Sequence, residues 1–209
     1  MPALAGSRCF GDGDPLYERY HDEEWGRPVT GEAGVFERLS LEAFQSGLSW
    51  RTILAKRPAF RAAFANFDPA VVAAFGPDDE ARLLADAGIV RNRLKVAATI
   101  ANARAVVALR EAGEPLPAIV WAYAEPPGAS PAPGTPAEVP ALTPASTALA
   151  KELKARGLRF VGPTTAYALM QAIGLVNDHL ATCPSRDDAE AARRAAAGAR
   201  PSSGATPPR

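Results

Sequence analysis

Helix starts and stops punctuate this chain at short intervals, and they constrain its fold more than any other feature. Asp14-Pro15, Asp68-Pro69 and Thr143-Pro144 each pair an N-cap side chain with a proline in the first turn, and Pro77 and Pro163 open two further apolar-periodic segments. Gly47, Gly88, Gly113, Gly157 and Gly174 stand where such segments end, as suits the residue that enters the left-handed region without strain. The longest stripe runs from about Arg93 to Ala112, with Val96, Ile100, Ala103 and Val107 on one face. No segment alternates as a strand does, and none repeats. The expectation is an all-α chain.

The pattern also predicts a break after Leu54, with a separate helix over Pro58 to Phe64. A last short helix is expected from Asn177, carrying His179 and Cys183 and stopped by Pro184. Residues 125–140 are rich in Pro, Ala and Gly and read as a long flexible loop. Residues 1–8 read as a flexible arm, 9–183 as one domain of two packed helical subdomains, and 184–209 as a disordered tail.

Bulk properties narrow the function classes. At 47% hydrophobic, 209 residues can build a sizeable core. The formal net charge is zero, so a nucleic-acid partner would need a local basic patch. No apolar run is long enough to span a membrane, and the start lacks the apolar core of a signal peptide, so a cytoplasmic protein is expected; the chain is also expected to be a monomer. Two cysteines in a reducing compartment point to a metal pair or free thiols more than to a disulfide.

Within this pattern, Leu39 to Trp50 places an acid beside a helix break. Val35, Leu39 and Glu42 fall on one helical stripe, so the Glu42 carboxylate should face the core, which is costly without a partner. Gly47 ends that helix, Leu48 sits at the tip, and Ser49 caps a helix that opens with Trp50. Taken alone, the same residues also fit a solvated glutamate on an ordinary hairpin with a core tryptophan. Tyr17, Tyr20, Trp25 and Trp50 form an aromatic set that fits a core cluster, or with Glu42 the walls of a pocket for a flat cationic ring.

Cys9, His21, His179 and Cys183 are all the cysteines and histidines there are. The last two are spaced i, i+4, which on a helix is one face. Cys2His2 is a closed tetrahedral zinc set, and here it would clip the N-terminal arm to the last helix. With four protein ligands and no open position, one such Zn2+ is structural.

A turn at Gly88, Ile89 and Val90 lies between two helices and is followed by Arg91, Arg93 and Lys95. Such a turn suits a phosphate and equally suits a plain helix hairpin. Lys151, Lys154, Arg156 and Arg159 precede a second helix start at Gly162-Pro163-Thr164-Thr165; a basic run of this kind is usually a solvated face.

Together these stretches resemble the 3-methyladenine DNA glycosylase I family. The resemblance lies in Asp14-Pro-Leu-Tyr17, Tyr20-His-Asp-Glu-Glu-Trp-Gly26, Leu41-Glu42 with Gln45-Ser-Gly-Leu-Ser-Trp50, Ala87-Gly-Ile-Val-Arg91, Asn102-Ala-Arg104, Phe160-Val-Gly162, Thr164-Thr165, and Met170-Gln171 with Gly174-Leu-Val-Asn-Asp-His179. It covers roughly Arg8 to Cys183.

The resemblance implies a helix-hairpin-helix DNA glycosylase fold with a structural zinc on Cys9, His21, His179 and Cys183. It implies that Glu42 is the catalytic residue and that Tyr17, Tyr20 and Trp50 bind the base. Gly88, Ile89, Arg91 and Arg93 would anchor DNA phosphates, with Thr164 and Thr165 on the same face. Gly47 and Leu48 would approach the gap left by a flipped base.

The implied activity is hydrolytic, monofunctional excision of N3-methyladenine from double-stranded alkylated DNA, with N3-methylguanine left open. The family's usual Trp shortly after the first Cys is absent: Cys9 is followed by Phe10-Gly11, in a loop one residue shorter. The alternatives are a non-catalytic zinc-stabilised DNA-binding module, or a metallohydrolase, which would need an open coordination position.

Overall fold

The computed structural model describes residues 8–198. Ten α-helices and two short 3-10 turns account for its regular structure, with no strand among the described residues. Of the arm expected over residues 1–8, residues 1–7 lie outside them, and Arg8 is held by the Asp22 carboxylate.

The first helix, α1 (Pro15–Glu23), starts as read: the Asp14 carboxylate accepts from the Leu16 and Tyr17 amides. The next, α2 (Glu32–Gln45), is the axis of the molecule. Every residue from Val35 to Phe44 is buried, so this helix is enclosed on all sides. Its charged members are partnered from neighbouring elements: Glu37 pairs with Arg61 and Arg38 with Glu24. Its Phe44 packs at 4.7 Å on Phe60, which continues through Phe64 to Phe67 as a row of rings.

Phe60 lies on α3 (Trp50–Ala63), which runs unbroken through Pro58. The expected break is absent. A proline inside a helix removes one backbone hydrogen bond, but the complete burial of Ile53 and Phe60 on either side holds the helix in register. Two short helices follow, α4 (Pro69–Ala73) and α5 (Pro77–Ala85), and then the long α6 (Arg93–Glu111), close to the expected span.

One helix was not anticipated, α7 (Leu116–Trp121). It has six residues, too few for periodicity to register, and burial of Leu116, Val120 and Trp121 holds it. Residues 125–140 do form a loop, but an anchored one. The Glu125 amide donates to the Leu175 carbonyl, the Ala181 amide to Pro133, and a 3-10 turn forms at Pro136–Glu138. After α8 (Pro144–Ala155) and α9 (Pro163–Ala172), two further expectations fail.

First, His179 and Cys183 do not lie on a helix; the segment is a series of turns. The Asn177 side chain accepts from the His179 amide, and the Leu180 amide donates to Cys9 Sγ. These bonds take donors that a helical ladder would need. Second, within the tail expected over 184–209, residues 186–198 form α10 (Arg186–Gly198), which packs back on the body with Ala189 and Arg193 buried, and residues 199–209 lie outside the described residues. The Arg193 guanidinium donates to the Gly174, Leu175 and Glu125 carbonyls and to Glu190. Its alanine-rich, charged composition resembles a solvated segment; a single arginine reaching three backbone carbonyls of the body decides otherwise.

Candidate active site

The break between α2 and α3 opens on a cleft of about 340 Å³ lined by Phe10, Tyr17, Tyr20, Trp25, Glu42, Gln45, Trp50, Ala168 and Gln171. The helical stripe read from the sequence does bury Glu42, which is 6% exposed. Burial pushes its carboxyl up to about 8, only partly opposed by the Arg38 charge. Among the described residues it accepts no hydrogen bond, and the Trp50 indole N–H, also buried, has no acceptor. Two polar groups that ought to be satisfied in a finished core are therefore left facing one cavity.

Its aromatic walls are held in place. Tyr20 and Trp50 lie 5.4 Å apart, and the Arg38 guanidinium sits 5.7 Å over the Tyr20 ring. Arg38 is fixed by Glu24, whose other oxygen takes a 2.6 Å bond from Arg57. These two guanidiniums keep the Glu24 carboxyl near 2 despite its burial. Sequence reasoning missed this acid; nothing in its local pattern distinguishes it from the adjacent Glu23. Phe10 packs 5.6 Å from Tyr17 and 5.0 Å from Trp25.

Phe10 also touches His21, at 5.0 Å, and so joins the cleft to a second cluster. The ligand atoms of Cys9, His21, His179 and Cys183 all lie within 4.8 Å of one another. Cys183 Sγ is 3.5 Å from His21 Nε2 and 3.4 Å from His179 Nδ1. The remaining ring nitrogens are occupied from outside: His21 Nδ1 lies 2.8 Å from Asp22, and His179 Nε2 lies 3.1 Å from the Trp25 carbonyl. That outer shell fixes each imidazole with one lone pair inward, as metal-binding histidines require. Burial pushes the Cys9 thiol up to about 12 and the His179 imidazole down to about 4. The donors of the set suit a divalent metal that prefers nitrogen and sulfur.

The expected DNA-facing residues divide by exposure. Gly47 adopts φ +85° and Leu48 stands out at 42% exposed. Lys95, first grouped with the basic patch, is instead buried below this turn, where its ammonium caps the Phe44 and Ser46 carbonyls at 2.9 and 2.6 Å. In the α5–α6 hairpin Arg91 and Arg93 are exposed. The Gly88 amide is taken by Asp86 Oδ1 at 2.7 Å, and Ile89 is buried, so neither offers a side chain or a free turn donor there. Gly88 serves packing: a Cβ would come within 2.9 Å of Ala59.

Thr164 is exposed, and Thr165 lines a second cleft with Ser46, Lys154, Arg159, Phe160, Val161 and Gly162. Phe160, 42% exposed, holds φ +57° because buried Asn102 clamps the Arg159 amide and carbonyl. Leu94, in the first turn of α6, is 69% exposed.

The profile of the methyladenine glycosylase family matches residues 10–187. DNA-3-methyladenine glycosylase 1 of Escherichia coli K12 is 49% identical over 170 residues, spanning 81% of this chain and 91% of that protein. A DNA-3-methyladenine glycosylase of Haemophilus influenzae is 40% identical over 182 residues, 86% of this chain and 98% of the relative. A crystal structure of 3-methyladenine DNA glycosylase I superposes with a TM-score of 0.80 at 46% identity, covering 85% of this chain and 98% of the other. The Staphylococcus aureus enzyme, solved to explain 3-methyladenine recognition, matches with a TM-score of 0.80 at 34% identity, over 88% and 98%.

Proposed function

This chain belongs to the methyladenine glycosylase family, and on that premise we propose that it is a DNA repair glycosylase that flips 3-methyladenine out of alkylated duplex DNA and releases it by hydrolysis. The observation that carries the reading is Glu42: a buried, unbonded carboxyl in an aromatic cleft.

A base inside a duplex is out of reach and must leave the stack. In DNA, 3-methyladenine is cationic and its glycosidic bond is already weak, so the enzyme needs a pocket that prefers that base more than it needs a strong acid. Stacking on Trp50 and Tyr20 favours a cationic ring, and Glu42 accepts from its edge. Tyr17 closes one side of the cleft. No aspartate lies between Asp86 and Asp178, so an aspartate that would follow the hairpin to activate water or shield the sugar cation is absent. Selectivity for a labile substrate supplies the rate, with water as nucleophile.

Gly47 and Leu48 enter the gap left by the flipped base. Arg91 and Arg93, with the backbone amides beyond Ile89, hold phosphates, and Thr164 and Thr165 meet the backbone from α9. One zinc ion on Cys9, His21, His179 and Cys183 ties α1 to the turns before α10; four protein ligands leave no catalytic position. No helix among the described residues is long and apolar enough to cross a membrane; we place the enzyme in the cytoplasm, as a monomer. The test is release of free base from alkylated DNA by the purified chain. Failure to release 3-methyladenine under conditions where the protein is folded and metal-loaded overturns the reading.

A further inference from the structure

Gln171 reaches the cleft from the last turn of α9, and its amide is held by a network that the catalytic reading does not use. Its Nε2 donates to Asp178 Oδ2 at 2.7 Å, and the Tyr167 hydroxyl donates to the same oxygen at 2.7 Å. A carboxylate oxygen only accepts. The Gln171 amide therefore cannot turn over: the NH2 group must face Asp178. Its oxygen has no partner among the described residues and is the polar atom of Gln171 left to the cleft.

We propose that Gln171, locked by Asp178 and Tyr167, is a specificity-determining acceptor that selects the 6-amino edge of a purine against a 6-oxo edge. The inference rests on the glycosylase reading above. Glu42 and Gln171 both line the cleft, and both can accept from the exocyclic amino group of 3-methyladenine. A guanine in the same pose turns a carbonyl oxygen toward acceptors and leaves them unsatisfied, and a site built to pair with an N–H rejects an analogue that lacks it. Asp178 and Tyr167 are positioning residues, acting on the base through the direction they impose on one amide.

The test measures binding of free 3-methyladenine and free 3-methylguanine through quenching of the tryptophan fluorescence in the cleft. Wild type should prefer 3-methyladenine by at least about tenfold, the value of one such hydrogen bond. Gln171→Met should weaken 3-methyladenine about tenfold and leave 3-methylguanine nearly unchanged. Asp178→Asn lets the pair of amides reverse together, and should narrow the preference by a similar factor. Because His179 is adjacent, metal stoichiometry and melting temperature are measured alongside, and Gln171→Met decides the matter if the Asp178→Asn chain does not fold. An unchanged ratio in either folded variant, or equal weakening of both bases, overturns the proposal. A wild type that excises 3-methyladenine yet binds both bases equally sinks this inference alone; one that neither binds nor releases it sinks the glycosylase reading as well.

Discussion

Replacing Glu42 by Gln keeps the side chain's shape and removes its charge, and the structure sets the size of two separate effects. The first is on stability. In the unfolded chain Glu42 ionises near 4.5, and in the fold near 8. The folded state therefore keeps a proton that the unfolded state has released. Wild-type stability should be highest below about pH 4.5 as far as this group is concerned, fall as pH rises toward 8, and level off above it. The full difference for so buried a group is on the order of 5 kcal/mol. Glu42→Gln lacks this term, so its stability relative to wild type should grow between about pH 4.5 and pH 8.

The second effect is on catalysis. At pH 7, one unit below the folded pKa, ionising Glu42 costs about 1.4 kcal/mol. A charge-assisted hydrogen bond to a cationic base returns about 1.5–3 kcal/mol, so the base itself offsets the cost of the charge that recognises it. Wild-type kcat/KM, which reports the free enzyme, should rise through an inflection near 8. The Gln variant should show a flat profile and a rate about ten- to a hundredfold lower at the plateau. The assay is single-turnover release of 3-methyladenine across this pH range, beside urea denaturation of both proteins and binding to undamaged duplex. Identical pH profiles in the two proteins would refute the reasoning. A matching loss of affinity for undamaged duplex would place the defect in the fold instead of the pocket.

Removing the metal by a strong chelator, or Cys183→Ala, should lower the melting temperature, because ligand binding and folding are coupled; equal melting of metal-free and metal-loaded protein would refute the clip. Arg93→Ala should weaken binding to all duplexes alike and reduce the salt slope by about one, which a titration of affinity against salt measures; a loss confined to one sequence would refute phosphate anchoring. Arg193→Met should cost about 3 kcal/mol, since it leaves two buried carbonyls and a part-buried one without their donor. That is a fall of about 6–12 °C in thermal denaturation, and a change of under about 2 °C would show α10 to be dispensable.

Local chemistry was sufficient for much of this protein. Caps such as Asp14 and Thr143 act within a few residues, so the starts of α1 and α8 could be read directly. The spacing of Val35, Leu39 and Glu42 was enough to turn the carboxyl inward, because one helical face carries all three. Four cysteines and histidines in all made the metal set legible by count, though the reason offered for one pair was wrong: His179 and Cys183 meet across turns, not along a helix.

What tertiary structure alone decided depends on partners distant in sequence. Pro58 sits within a continuous α3 because Phe60 packs under Phe44. Lys95 left the DNA face because two carbonyls at the end of α2 lie within its reach. Part of the expected tail became α10 through Arg193, and Gln171 acquired a fixed amide from Asp178. In each case a polar group or ring is satisfied by atoms many residues away in the chain or across a turn. Periodicity records only which side a residue faces; what waits on that side is settled when the helices pack.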